Sequence, residues 1–354
     1  MTTTPFIPGI TQRTISTDRL IVAYLEAGTG TIPIVLVHGN CSSSLFFQDF
    51  MLALAANERY KIYAPDMRGY GDSELLALDG TRGVRDFSDD LAAFARALEL
   101  PQFHLLGWSL GGNVVMQYAI DYPGTLRSLI LESTGSPFGV GGTKDADGTP
   151  VWPDYAGCGG GITNPSYVER LAQGDRSSDQ ISPRTTMNTF YFKPPFRVSP
   201  DREEIFVTSI LSTRVTPGNY PGDLIPSANW PNVAPGKQGV NNALSPKYLD
   251  QRDFAAARVK PAVLWIHGVD DQIVSDSSFF DLGFLGQIGS IPGWPGAEVY
   301  PPQPMKTQIR TLLDRYQANS GQYREVALPD CGHSPHIEKP ADMLRLFTEF
   351  VDEH

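Results

Sequence analysis

Ser109 lies in a short motif whose residue types suit a nucleophile. Gly107, Trp108, Ser109, Leu110 and Gly111 follow an apolar, strand-like run and precede a segment with helical periodicity. A tight strand-to-helix turn needs small residues on both sides of its central serine, and it exposes the serine hydroxyl above the end of the strand. The motif in this setting predicts a nucleophilic Ser109. The alternative is a glycine-rich turn without chemistry.

A serine hydroxyl attacks a carbonyl only when a base takes its proton. The chain has six histidines, of which His333 and His336 follow the last predicted strand. The chain order nucleophile, acid, histidine places the base there. We predict His333 as the base, because Gly332 gives it a flexible approach, and His336 as a support for the loop. Structural roles are predicted for His38, His104 and His267.

The base must in turn be oriented by an acid, and two candidates follow predicted strands. Asp271 comes directly after the penultimate strand, with Asp270 as a turn residue beside it. Glu132 ends the strand that follows the helix after Ser109. Either carboxylate can hold an imidazole and stabilise the imidazolium. We expect Asp271 to do so and keep Glu132 as the alternative.

Acyl transfer also requires donors for the developing oxyanion. Leu110 opens the helix after the nucleophile, so its backbone N–H is free and lies at the positive end of the helix dipole. The second donor is expected from the loop after the first parallel strand. We predict the Asn40 N–H, with Cys41 as the fallback. The Asn40 side chain either adds a donor or caps the helix that begins near Ser43.

The elements around these residues alternate between strand and helix. Short apolar runs separated by helical periodicity predict a parallel sheet covered on both faces, preceded by an antiparallel pair within 13–27. The pattern breaks at 133–260, which is rich in Gly, Pro, Asn and aromatic residues. A loop of that length inside a compact domain is implausible, so an inserted subdomain is expected. We therefore predict a core of 1–132 and 261–354 and a cap of 133–260.

Composition narrows the class of protein. The 354 residues carry a formal net charge of −11, which disfavours nucleic acid or an anionic membrane as a partner. The N-terminus has no basic start followed by an apolar run, and no stretch approaches the ~20 apolar residues of a membrane span. We expect a soluble, cytoplasmic protein. Cys41, Cys158 and Cys331 are expected to be free, buried thiols and not ligands.

Five ordered motifs resemble the landmarks of the α/β-hydrolase superfamily. They are HGN at 38–40, APDMRGYGDS at 64–73, GWSLGG at 107–112, HGVDDQIV at 267–274 and GHSPHIEKP at 332–340. The resemblance implies an α/β-hydrolase fold with a mostly parallel eight-stranded sheet, helices on both faces and a cap inserted after the sixth strand. It also implies no cofactor, and we expect no metal.

The resemblance extends to particular branches of the superfamily. Dehalogenases and epoxide hydrolases have Asp at the nucleophile position, and Ser109 speaks against both. Glu132 is similar in position to a glutamate of certain lactonases. A further departure from the family is the Gly/Pro-rich stretch 282–304, which is expected to add a lip to the site.

The cap is rich in aromatic residues, which favours a bulky apolar or aromatic substrate. The residues expected to bind it are Phe46, Trp108, Trp152 and Tyr191. The leading interpretation is a serine hydrolase of the esterase or lactonase type with a small-molecule substrate. The alternatives are a C–C bond or amide hydrolase, a cofactor-free lyase or oxygenase, and a non-catalytic binding protein on the same fold.

Overall fold

The computed structural model describes residues 5–354, so the first four residues of the predicted core lie outside the described residues. Its centre is an eight-stranded sheet in the order β1-β2-β4-β3-β5-β6-β9-β10. β2 is antiparallel to both of its neighbours, β1 and β4, and the remaining pairs in the sheet are parallel. The strands are β1 (Thr11–Ser16), β2 (Ile21–Ala27), β3 (Ile32–Val37), β4 (Tyr60–Pro65), β5 (Phe103–Trp108), β6 (Leu126–Glu132), β9 (Ala262–Gly268) and β10 (Tyr323–Leu328). The predicted α/β-hydrolase sheet, with its leading antiparallel pair, is confirmed.

Helices cover both faces of this sheet and supply most of the remaining regular structure. The α-helices are α1 (Gln48–Ala55), α2 (Arg85–Ala97), α3 (Leu110–Asp121), α4 (Pro165–Ala172), α5 (Pro183–Thr186), α6 (Pro200–Leu211), α7 (Val240–Ala243), α8 (Leu282–Gln287), α9 (Met305–Ala318), α10 (Pro335–Glu338) and α11 (Pro340–Glu353). Two buried apolar clusters lie on opposite sides of the sheet, one around α2, α3 and α9 and the other around α1 and α11. The central strands β3, β5, β6 and β9 are buried along most of their length because helices shield both faces of the sheet there.

The chain leaves the sheet after Glu132 and rejoins it at Ala262. Between them lie α4 to α7, a π-helical turn at Met187–Tyr191 and a two-stranded sheet of β7 (Leu224–Pro226) and β8 (Val233–Pro235). The connection thus has elements of its own, as a segment of this length requires. Its treatment as a separate cap remains our prediction. The Gly/Pro-rich stretch 282–304 begins with α8.

None of the helices within residues 5–354 has both the length and the apolar character that a membrane crossing requires.

Candidate active site

The turn between β5 and α3 holds Ser109 in an unusual backbone conformation, with φ 57° and ψ −120°. A non-glycine residue at positive φ is uncommon, and it persists only where the surrounding structure imposes it. Here the helix packs so closely that a Cβ on Gly107 would lie 2.2 Å from the Gly111 carbonyl oxygen. A Cβ on Gly111 would lie 2.2 Å from the Val37 carbonyl oxygen. The flanking glycines therefore permit the close approach that holds Ser109 at the end of the strand.

His333 lies in the loop between β10 and α10 and is 2% exposed. Its Nδ1 lies 2.9 Å from Oδ2 of Asp271, which follows β9. The indole N–H of Trp108 donates to the His333 carbonyl oxygen at 2.8 Å. This bond ties the histidine loop to the residue next to Ser109. Ser109 and His333 line one cavity.

Asp271 is buried and held on both of its oxygens. Its Oδ1 accepts from the backbone N–H groups of Ile273 at 2.8 Å and Val274 at 3.0 Å. Burial alone would raise the pKa of this carboxyl. The facing His333, the nearby Lys306 and the Val274 N–H outweigh burial and lower the pKa below its usual value. Asp271 is therefore ionised at neutral pH.

The alternative acid, Glu132, is paired with the other histidine of the loop. Its Oε1 accepts from the backbone N–H of His336 at 2.8 Å and lies 2.7 Å from His336 Nδ1. Both side chains are buried, at 0% and 1% exposure. Neither lines the cavity that Ser109 and His333 share. The structure thus separates two acid–histidine pairs, and of these four residues His333 lines the cavity while Asp271 lies behind it.

The two predicted oxyanion donors lie beside Ser109. Leu110 and Asn40 both line the cavity, and within residues 5–354 neither backbone N–H donates to another protein group. The Cys41 N–H, the fallback, donates instead to the Asn40 side-chain oxygen at 3.0 Å. That internal bond favours Asn40 over Cys41 as the second donor.

The Asn40 side chain does not cap the following helix, which corrects one of our two expectations for it. Ser43 is the N-cap of the 3-10 helix Ser44–Phe47, because its hydroxyl accepts from the Leu45 N–H. The Asn40 oxygen accepts from the Tyr70 hydroxyl at 2.6 Å, and its amide donates to Asn241 at 3.2 Å. The side chain is thereby fixed away from the helix.

The cavity has a volume of about 460 Å³, which is within the usual range for small-molecule sites. Of residues 5–354, none with an Asp, Glu, Lys or Arg side chain lines it. Aromatic side chains form much of its wall, namely Trp108, Tyr167, Phe190, Tyr191, Tyr220, Phe279 and Phe280. Uncharged amides and hydroxyls supply most of its other polar groups, namely Asn40, Asn113, Asn164, Asn241, Gln180, Thr163 and Thr186. The lining suits an uncharged, largely apolar molecule.

The four predicted substrate-binding residues fall into two groups. Trp108 and Tyr191 line the cavity, whereas Phe46 and Trp152 do not. Phe46 lies beneath the wall, 2% exposed, with its ring stacked on Phe206 at 4.4 Å. Trp152 comes two residues after an isolated antiparallel bridge between Thr143 and Pro150 and lies outside the cavity wall.

Phe279 and Phe280 are among the cavity residues that the sequence did not predict. Phe279 and Phe280 follow Asp271 within eight and nine positions and are 40% and 38% exposed at the cavity wall. Phe190, in the π-helical turn of the inserted segment, packs against both, with ring centroids 6.1 and 5.3 Å away. An aromatic pair in the polar run SDSSFFDLG, directly after a predicted acid, was the signal available in the sequence.

His38, His104 and His267 lie outside the cavity wall and are hydrogen-bonded to other parts of the fold. His38 Nε2 accepts from the Met67 N–H at 3.0 Å, and burial lowers the pKa of His38 to about 4. His104 Nδ1 lies 2.8 Å from the Ser128 hydroxyl, and burial lowers its pKa to about 4 as well. His267 Nε2 lies 2.9 Å from Glu325.

Comparisons with known proteins agree with this architecture. Residues 32–157 match the protein family described as alpha/beta hydrolase fold. A pimeloyl-[acyl-carrier protein] methyl ester esterase from Aeromonas hydrophila is 37% identical over 106 residues, which are 30% of this chain and 39% of that protein. Haloalkane dehalogenase 2 from Mycobacterium tuberculosis is 29% identical over 123 residues, 35% of this chain and 42% of the relative. The chain spans less than half of the length of the curated relatives it matches, and 34% of the first.

A likeness in structure extends over nearly the whole chain. An esterase from Exiguobacterium antarcticum superposes with a TM-score of 0.61 at 15% sequence identity, covering 97% of this chain and 100% of the other. At this identity the likeness concerns the fold alone. Together with the eight-stranded sheet and the family match over residues 32–157, it shows that this chain has an α/β-hydrolase fold.

Proposed function

We propose that this protein is a serine hydrolase that cleaves a carboxylic ester or lactone through an acyl-serine intermediate. One observation carries the proposal. Ser109, held at positive φ at the end of β5, shares an uncharged cavity with His333, whose other ring nitrogen lies 2.9 Å from the buried Asp271. A nucleophile, a base and an orienting acid are the groups that acyl transfer to serine requires.

The steps follow from these positions. Ser109 Oγ attacks the carbonyl carbon while His333 Nε2 accepts its proton, and the carbonyl oxygen becomes an oxyanion. The Leu110 and Asn40 N–H groups stabilise that oxyanion. As the bond to the leaving group breaks, His333 gives its proton to the departing alkoxide. Water then attacks the acyl-serine with His333 again as base, the bond from the acyl carbon to Ser109 Oγ breaks, and His333 returns the proton to Ser109 as the acid is released. Asp271 stays ionised and stabilises the imidazolium in each half of the cycle.

The cavity lining supports a bulky, uncharged and largely apolar substrate. An ionised group placed there would lose its hydration without meeting an opposite charge, which is costly. The ring faces of the wall favour aromatic or branched apolar groups. The substrate class we propose is therefore a neutral ester or lactone with a bulky apolar acyl or alcohol part.

A panel of neutral esters, lactones and amides assayed with the wild type and with Ser109→Ala tests this proposal. We expect an acid and an alcohol as products from the wild type, and no turnover above the uncatalysed rate from Ser109→Ala. The variant should keep the wild-type circular dichroism spectrum and melting temperature, since it loses one oxygen atom. Products other than an acid and an alcohol would favour a C–C bond hydrolase, an amidase or a lyase. Tight retention of a ligand without turnover would favour a binding protein.

A further inference from the structure

Three consecutive residues, Tyr191, Phe192 and Lys193, contact every loop that carries the proposed machinery. We call this segment the brace. It follows the π-helical turn of the inserted segment, more than 50 residues from β6 and from β9 along the chain. Phe192 has an extended backbone and is 1% exposed, with its ring packed against Phe196 and Phe206. That burial anchors the segment and leaves its neighbours to face the loops.

Tyr191 holds the loop that carries the second oxyanion donor. Its single hydroxyl proton is shared between the carbonyl oxygens of Asn40 at 3.2 Å and Cys41 at 3.1 Å. Burial raises the pKa of Tyr191 above its usual value, so the hydroxyl keeps the proton that it donates. A bond to the Asn40 carbonyl fixes the plane of the following peptide, and the Cys41 bond fixes the next one. The orientation of this loop thus depends on a side chain from the cap.

Lys193 joins the acid loop to the histidine loop. Its ammonium lies 3.0 Å from Asp270, the neighbour of Asp271, and 2.7 Å from Asp330, three residues before His333. These ion pairs are partly exposed, so each contributes little to stability by itself. Their position matters more than their strength, because they join the two loops whose side chains form the Asp271–His333 contact.

Glu338 joins the brace to His333 through the backbone. Its carboxylate accepts from Lys193 N–H at 2.7 Å, from Gly332 N–H at 3.0 Å and from Ser334 N–H at 3.2 Å. The two residues on either side of His333 are therefore held by one buried carboxylate, which a third bond connects to the brace. A Cβ on Gly332 would lie 2.6 Å from Lys193 N, so the loop and the brace are in direct contact. Gly332 serves this close packing and not the flexible approach that we expected.

We propose that the brace aligns the oxyanion loop, the acid loop and the histidine loop, so that Tyr191, Lys193 and Glu338 are positioning residues for the reaction. The proposal rests on the proposed function and adds to it. The cap becomes a part of the catalytic machinery as well as the wall of the cavity. Misplacement of reacting groups by about 1 Å costs on the order of 100-fold in rate. Loss of the brace contacts should therefore lower kcat more than it raises KM.

Two conservative variants test this, each with a matched control elsewhere in the cap. Tyr191→Phe keeps the ring and removes the hydroxyl, and its control is Tyr248→Phe, whose hydroxyl donates to the Gly236 carbonyl oxygen at 2.9 Å. Lys193→Met removes the ammonium, and its control is Lys247→Met, whose ammonium donates to the Pro235 carbonyl oxygen at 3.2 Å. Neither control residue lines the cavity. We expect about 10- to 100-fold lower kcat in the two brace variants, with KM within about threefold of the wild type. The controls should match the wild type.

A spectroscopic readout separates positioning from a general loss of stability. The proton between His333 Nδ1 and Asp271 should give a downfield proton NMR resonance. We expect Lys193→Met to shift or broaden it, because the acid and histidine loops lose their link. Tyr191→Phe should leave it in place, because that variant frees only the oxyanion loop. Lys193→Arg keeps the charge and should restore the resonance and most of kcat.

The outcomes distinguish this inference from the proposed function. If the wild type reacts with esters and the brace variants behave like their controls in both kcat and NMR, the brace inference is wrong and the proposed function stands. If the wild type turns over no ester, the proposed function is wrong. The brace is then judged by the NMR resonance, which depends on the Asp271–His333 contact and not on turnover.

Discussion

At the level of single residues, the proposed mechanism depends on which carboxylate orients the His333 imidazole. Asp271 and Glu132 both lie at the edge of the sheet where the parallel strands β9 and β6 end. Each carboxylate is hydrogen-bonded to a different histidine. Replacement of Asp271 by Asn keeps the shape but removes the charge that stabilises the imidazolium. By analogy with the same change in a serine protease, we expect Asp271→Asn to lower kcat by about 10⁴-fold. Steady-state ester hydrolysis measures this. Severe loss in Glu132→Gln with a mild effect in Asp271→Asn would contradict the assignment.

Glu132 has a structural role in this account. Its carboxylate accepts two hydrogen bonds from His336 in a buried site. Loss of charge at a buried acceptor weakens such bonds by about 1–3 kcal/mol. We expect Glu132→Gln to lower the free energy of unfolding by that amount in urea titrations, while kcat stays within about threefold of the wild type. An unchanged unfolding midpoint combined with a large fall in kcat would exclude this role.

At the scale of elements, β3 and β5 carry buried histidines that make stability depend on pH. Burial lowers the pKa of His38 at the end of β3 and of His104 in β5 to about 4 each. An unfolded histidine titrates near pH 6.5, so above that pH both histidines are neutral in the folded and the unfolded chain. Burying them then costs no free energy of deprotonation. As the pH falls from 6.5 towards 4, the unfolded chain binds these protons first, and the free energy of unfolding falls by up to about 1.4 kcal/mol per pH unit for each histidine.

A variant isolates the contribution of one histidine. Burial raises the pKa of Asp66 to about 6, and this group acts in the opposite sense over the same range. Asp66 titrates in the wild type and in His104→Gln alike, so its effect cancels when the free energies of unfolding of the two proteins are subtracted at each pH. We expect the free energy of unfolding of His104→Gln to fall less steeply between pH 6.5 and 4 than that of the wild type. Parallel curves would show that His104 does not titrate as described.

Elements near Ser109 were predictable because their signals are local. The strand–turn–helix around Ser109 follows from an apolar run, flanking glycines and helical periodicity, all within about 20 residues. The pairing of Glu132 with His336 joins residues 204 positions apart, and nothing in the local sequence distinguishes it from a pairing with His333. The positions of Trp152 and Phe46 outside the cavity wall could not be predicted from the sequence either. Aromatic composition predicts burial but not which surface an aromatic ring covers.

At the scale of the whole molecule, the acidic surface and the uncharged cavity are distinct features. The net charge of −11 lies outside the cavity, whose wall holds no Asp, Glu, Lys or Arg among residues 5–354. The proposed function therefore predicts that a substrate is selected by apolar contact and hydrogen bonding, because an ionised group on its buried part would lose its hydration without a compensating charge.

A matched pair of substrates tests this selection. We expect kcat/KM to be at least about 100-fold lower for an ester with a carboxylate on its buried part than for its amide isostere, which corresponds to about 3 kcal/mol. Competition of the two esters in one reaction, followed by chromatography, measures the ratio directly. Equal rates for the pair would contradict the uncharged cavity as the basis of specificity.

The proposed reaction depends on the activation of Ser109 by His333, which covalent labelling of the serine measures. We expect a neutral fluorophosphonate to add one phosphonyl group to the wild type, with the adduct located on Ser109 by peptide mass spectrometry. Ser109→Ala should remain unlabelled, and His333→Gln should react at least about 1,000-fold more slowly. Stoichiometric labelling at another residue, or wild-type labelling of Ser109 in His333→Gln, would contradict the account.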